Sequence, residues 1–173
     1  QSDQFNFTDP ESRIMKAGSG QHFEQCYNAQ ASVEVDSLLI IAGQVVDAPN
    51  DKQELTPTLG TLAPVIESVS QVLIDSGFYS EAAVKVVEGS ESGVLAGVQV
   101  LAATERHKHA RRIADLEIKA EPAELPPDAP FIEQMRRRLQ TSAGRKAYDL
   151  RKSTVEPVFG IIKEALGFRR FSL

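Results

Sequence analysis

The residues best placed to do chemistry lie in the stretch "AYDLRKSTVEPVFGIIKEALGFRRF". It sets one carboxylate, Glu156, between Arg145, Lys146, Arg151 and Lys152 on one side and Lys163, Arg169 and Arg170 on the other, in a chain of net charge −5. On a continuous helix, Glu156 and Lys163 share a face about 10 Å apart along the axis. Lys152 and Tyr148 precede Glu156 at one-turn intervals, so that face reads Tyr, Lys, Glu, Lys. A carboxylate there can bind a hard cation through oxygen, and the ammonium groups beside it can hold a polyanion. The competing reading is ordinary i, i+4 ion pairing along a solvated helix, Lys152 with Glu156 for instance.

Asp75 is the second candidate. It follows the apolar run Val72-Leu73-Ile74, at the carboxyl end of an expected strand, where open α/β sheets place their ligands. It could equally be a turn residue bonding backbone near Gly77. Together, the two acids could form the floor of a magnesium site. The other candidates are weaker. His107 and His109 in "RHKH" sit in a charged loop, and His22 in a glycine-rich one. Cys26 is the only cysteine. That excludes an internal disulfide and a cysteine zinc cluster, and points to a reducing compartment. No phosphate-cradling glycine motif is present.

Several elements must position these groups. Residues 26–47 read as a β-hairpin: Ala29, Ala31, Val33 and Val35 alternate with polar residues, and "LLIIAGQVV" is a continuous apolar run expected to be buried on both faces. Residues 69–112 read as strand, turn, helix, strand, with Ser80 before a helix that buries Val84 and Val87, a pattern that predicts a parallel pair. Between these units, Asn50 or Asp51 could cap a short helix interrupted by Pro57 and Pro64. Residues 1–25 are polar. There, "FNF" is a possible strand, "DPESR" a turn or helix start, and "KAGSGQ" a loop. Residues 113–130 lose the apolar period and read as an exposed loop. Residues 131–173 resume as basic helices, with a break expected at Gly144. The last helix is expected to run from about Ser153 to Leu166, with a Ser153–Glu156 capping box and Gly167 at its end.

The chain's 173 residues make one domain able to bury roughly 70% of its unfolded surface. No apolar run is long enough to span a bilayer, and no signal peptide is visible. The start at Gln1 and the end at "FRRFSL" are expected to mark a piece of a longer chain. Charge is unevenly spread. Residues 131–173 carry +6 and residues 1–130 carry −11. A basic block on an acidic chain points to a polyanion partner, although a solvated basic helix face would look the same.

"VLIDSGFYSE", "YDLRKSTVEPVFGIIKEALGFRRF" and the hairpin "YNAQASVEV…IIAGQVVDAPNDKQEL" together resemble DDE-class transposases of bacterial insertion sequences. The family's last motif runs Tyr, two residues, Arg, three residues, Glu, six residues, Lys. Tyr148 and Arg151 fit its first spacing, and Glu156 and Lys163 its last. The middle is one residue long from Arg151, and Lys152 stands at the separation expected from Glu156. The resemblance implies the C-terminal part of a catalytic domain: an α/β, ribonuclease H-like mixed sheet flanked by helices. Three acids would hold two Mg2+ or Mn2+ ions about 3.5–4 Å apart for phosphodiester chemistry. The second acid maps to Asp75 and the third to Glu156, both as metal ligands. Tyr148, Arg151, Lys152 and Lys163 would contact DNA. The implied partner is double-stranded DNA at transposon ends, bound as a homodimer, in a cytoplasmic, nucleoid-associated protein without membrane contact. The alternative is an inactive remnant that only binds DNA.

The first acid finds no match, and Asp9 is the only N-terminal stand-in. In the implied fold, that acid ends a central strand lying between the hairpin and the Asp75 strand. Without that strand, two sheet edges lose their partner. The expectation is therefore a split sheet, unless residues 4–9 fill the slot, and a fragment that is inactive alone.

Overall fold

The computed structural model describes residues 6–17, 22–105 and 120–168. In chain order these form β1 (Arg13–Ala17), β2 (His22–Cys26), β3 (Asn28–Val33), β4 (Ile40–Val46), α1 (Leu55–Gly60), β5 (Gln71–Ile74), α2 (Glu81–Glu88), β6 (Gln99–Ala102), α3 (Phe131–Gln140) and α4 (Ser142–Gly160). A π-helical turn, Ile161–Ala165, extends α4. This is a mixed α/β chain. Its described strands form three separate two-stranded sheets: β1 with β2 and β3 with β4, both antiparallel, and β5 with β6, parallel. The expected split is thus present, and residues 6–9 form no strand.

The core gathers around the parallel pair. Val84 and Val87 of α2, Val100 and Ala102 of β6, Ile74 of β5 and Met135 of α3 are all buried, joined by Leu55 and Leu59 of α1. The helical and extended periods read from the sequence converge here: α2 presents Val84 and Val87 one turn apart, and β6 is buried at Val100, Leu101 and Ala102. The outer edge of β6 is closed by side chains. The Glu88 carboxylate accepts from the Val100 amide at 2.9 Å, and Arg138, ion-paired to Glu88, donates to the Val100 carbonyl at 3.4 Å. β4 is closed on its outer side too, where the Ala63 amide donates to the Ile41 carbonyl at 2.8 Å and the Gly43 amide to the Thr61 hydroxyl at 3.1 Å.

Several expectations are corrected. Residues 13–17 and 22–26, where the sequence offered a turn or helix start at "DPESR", a loop at "KAGSGQ" and, at Cys26, the start of the next hairpin, carry the antiparallel β1–β2 pair. β4 is not buried on both faces. Ala42 is buried, but Ile40 and Val45 are about half exposed. Glu54, not Asn50 or Asp51, precedes α1, and that helix stops at Gly60, before Pro64. Ser80 does occupy the N-cap of α2, though without a side-chain cap bond.

The largest correction concerns the C-terminal helices. Gly144 does not break a helix. It lies in the first turn of α4, where its amide is capped by the Thr141 hydroxyl at 3.0 Å. A Cβ at Gly144 would lie 1.9 Å from the Arg138 carbonyl oxygen, so only glycine allows α3 and α4 to pack this closely. The helix then runs unbroken through Ser153, whose hydroxyl donates to the Leu150 carbonyl, so no capping box forms with Glu156. Pro157 falls inside α4 rather than in a first turn. Gly167 follows the π-turn with φ of +74°, the left-handed conformation that suits a glycine after a helix end. Among the described residues, no helix is long and apolar enough to cross a membrane.

Candidate active site

The site is built on the carboxyl end of β5. The strand stops at Ile74, and the turn after it is closed by the Phe78 amide donating to the Asp75 carbonyl at 3.0 Å. The Asp75 side chain is more than half exposed. Its Oδ1 accepts from the Ser76 amide at 2.6 Å, and its Oδ2 lies 3.7 Å from Nη1 of Arg151. The turn reading of Asp75 is thus observed, one oxygen bonding the turn backbone, while the other oxygen faces a charged neighbour from α4.

Helix α4 reaches this turn through two side chains one turn apart. The Tyr148 hydroxyl donates to the Ile74 carbonyl at 2.9 Å. The Arg151 guanidinium lies 5.6 Å from the centre of the Tyr148 ring, close enough for a cation–π contact. Burial pushes the Tyr148 phenol above its usual range. The nearby Asp75 charge adds to this, while Arg151 opposes it. Arg151 is itself mostly buried, and its Nε has no hydrogen-bond partner.

A second layer was missed in the sequence. The Asp51 Oδ1 accepts from the Asn28 amide group at 2.6 Å and from the buried Gln30 amide group at 2.8 Å. Its Oδ2 lies 3.1 Å from where a Cβ on Gly77 would stand. Gly77 thus lets the Asp75 turn lie against Asp51, and β3 is tied to that turn through side chains. The available signal was the Asn-x-Gln spacing, which on a strand puts both amides on one face.

The remaining candidates are distributed as follows. The Glu156 side chain is exposed and makes no hydrogen bond or ion pair with another described residue, so the Lys152–Glu156 pair is not formed. Five residues after Arg151, it points about 140° away around the helix and some 7.5 Å further along it. Lys152 is also exposed. Lys163 lies in the π-turn, with its ammonium 5.8 Å from the Phe159 ring centre. Asp9 is held by Tyr27, whose hydroxyl donates to both carboxylate oxygens at 2.7 and 2.9 Å; that bond is the main reason its phenol is pushed up to about 12. His22 bonds Glu24 in β2. His107, His109, Arg169 and Arg170 lie outside the described residues. The structure therefore brings Asp75, Tyr148 and Arg151 together, and leaves Glu156, Lys152 and Lys163 on exposed parts of the same helical arm. Among the described residues, no three His, Cys, Asp or Glu side chains cluster to hold a metal ion.

With this geometry in place, comparison with known proteins gives one match. Residues 125–173 fit the family model described as the transposase DDE domain. No curated protein and no solved structure matches the chain. The matched segment contains α3, α4 and every basic candidate on them, and it supports a DDE-class transposase fragment. Asp75 lies outside it.

Proposed function

We propose that this chain is the C-terminal part of a DDE transposase catalytic domain that cuts and joins DNA strands at insertion-sequence ends. The observation that carries the reading is the docking of α4 onto the Asp75 turn. Two members of the family's helical motif, Tyr148 and Arg151, come from the matched segment, and both contact the end of β5. In this reading Asp75 and Glu156 supply two of the carboxylates, and both present exposed oxygens of the kind a hard divalent cation prefers. Bound Mg2+ or Mn2+ ions would lower the pKa of an attacking water and stabilise the leaving oxygen.

The chain's own residues have separable roles. Tyr148 locks α4 to β5 through the Ile74 carbonyl. Arg151 sets the direction of the Asp75 carboxylate and offers positive charge beside it. Lys152 and Lys163, both exposed, neutralise backbone phosphates of the transposon end. The partner is double-stranded DNA, engaged as a homodimer.

The experiment combines metal binding with strand cleavage. Mg2+ or Mn2+ raises the melting temperature of the full chain, and Glu156→Gln removes that rise. An unchanged rise in the mutant rejects Glu156 as a ligand. A second reading, an inactive DNA-binding remnant, is favoured by the lack of a three-acid cluster among the described residues. It predicts salt-sensitive DNA binding without cleavage at any Mg2+ concentration.

A further inference from the structure

The stretch that leads into α3 is acidic on a basic neighbour. From 120 to 130 it reads "AEPAELPPDAP", with Glu121, Glu124 and Asp128 and no lysine or arginine. It runs back along α3 as a strap. Near the start of α3, the Gln134 side-chain amide donates to the Ala129 carbonyl at 2.8 Å. Further along, Nε of Arg137 donates to the Ala123 carbonyl at 2.8 Å. At the start of α4, the Ser142 amide donates to the Glu121 carboxylate at 2.8 Å. Strap numbers fall as helix numbers rise, so the strap lies antiparallel to α3 and ends on the first turn of α4.

Its two halves are held unequally. In the lower half Ala129 is buried, and its amide donates to the Pro126 carbonyl at 3.0 Å. In the upper half Glu121, Ala123 and Glu124 are exposed, and the bonds from Ser142 and Arg137 lie at the surface. Water competes with such bonds, so this half opens at small cost. Pro126 and Pro127 separate the halves.

The upper half covers the head of a basic helix face. Arg145 stands two turns before Lys152 on α4 and shares its side of the helix with Lys152 and Glu156, with Asp149 between them. The Glu121 carboxyl is held below its usual range chiefly by the bonds from Ser142, and the charges of Arg145 and Arg137 act in the same direction. Glu124 borders one cleft with Arg137 and Arg138. Guanidinium groups and a backbone amide at a helix start are donors of the kind that contact DNA phosphates.

We infer that residues 121–124 are an autoinhibitory latch, an acidic arm that takes the place of a phosphate at the start of α4 and swings away when duplex DNA lies along the whole helix. The inference rests on the proposed reading of α4 as a DNA-contacting helix. It adds that the free chain keeps part of its own basic surface closed.

The test is duplex DNA binding by the full chain, read by fluorescence anisotropy over a range of salt concentrations. Glu121→Gln keeps an oxygen for the Ser142 amide and removes the charge. Asp128→Asn removes the same charge at the anchored end of the strap and is the control. Expected for Glu121→Gln is roughly fivefold tighter binding, with a slope of log affinity against log salt steeper by about 1, the effect of one more phosphate contact. Asp128→Asn should bind like the parent. Parent-like binding by Glu121→Gln overturns the latch while leaving the DNA reading intact. An equal gain in Asp128→Asn also overturns it, because a general charge effect would then be the cause. So does a fall in the melting temperature of Glu121→Gln without tighter binding, since the strap would then serve packing alone. If neither the parent nor the variants bind duplex, the DNA reading fails and the latch fails with it.

Discussion

Tyr148 joins two roles that are usually separate, since the hydroxyl that fixes α4 on β5 also stands beside the candidate carboxylate. Its phenol is raised above the ordinary value near 10, chiefly by burial. The unfolded chain therefore releases that proton first. The stabilising contribution is complete below pH 10 and is lost as pH rises through the folded value. Tyr148→Phe should cost about 1 kcal/mol at neutral pH through the lost bond to Ile74. It should also flatten the alkaline fall in stability, which urea unfolding at a series of pH values would measure. Asp75 was legible in the sequence because strand ends in α/β units are marked by a short apolar run and a following glycine. Asp51 was not, because its significance depends on Asn28 and Gln30, which are brought to it only by folding. Glu156 was legible as a lone acid among bases, but its direction was not. That depends on which helix it belongs to and where that helix starts.

At the scale of elements, the start of α4 decides the most. Sequence reading places a helix boundary at Gly144 and another at Ser153, because glycine and a Ser-x-x-Glu pattern are both boundary signals. The structure uses Thr141 as the cap and runs the helix through both. Gly144 is required for a packing reason invisible locally: the approach of the Arg138 carbonyl from α3. Gly144→Ala should therefore destabilise the chain by roughly 2 kcal/mol or more, against the small gain that alanine brings to an ordinary helix. Thermal unfolding would check it, and a neutral or stabilising result would contradict the α3–α4 packing. The β1–β2 hairpin was illegible for a different reason: "RIMKA" and "HFEQC" have too few apolar residues to show a clean alternation. By contrast, α2 and the β5–β6 pair were readable because their apolar spacing matches the buried face they form.

At the scale of the whole molecule, the charge division matters more than the sum. The +6 of residues 131–173 includes two lysines, Lys152 and Lys163, that stand exposed along α4 and its π-turn. Each phosphate neutralised contributes about −0.9 to the slope of log affinity against log salt. Changing both lysines to glutamine should make the slope for duplex DNA shallower by about 2 and weaken binding across all sequences alike. Fluorescence anisotropy at several salt concentrations would show it, and an unchanged slope would remove these lysines from the interface. The α/β class and the parallel β5–β6 pair were legible from the order of elements, whereas the split of the sheet was expected only from the family resemblance. The sealing of the outer edges was not, because it is done by side chains distant in sequence.

Glu88 and Arg138 have a consequence beyond this one molecule. By occupying both backbone groups of Val100, they act as a stop against lateral growth, so copies cannot zip together along β6 into ribbons. Glu88→Ala would remove the acceptor of the Val100 amide and the ion-pair partner that holds Arg138, and so weaken that stop. Such a variant should polymerise on storage at concentrations where the parent stays dispersed, with light scattering rising over hours. If it remains dispersed, the guard against self-assembly lies elsewhere.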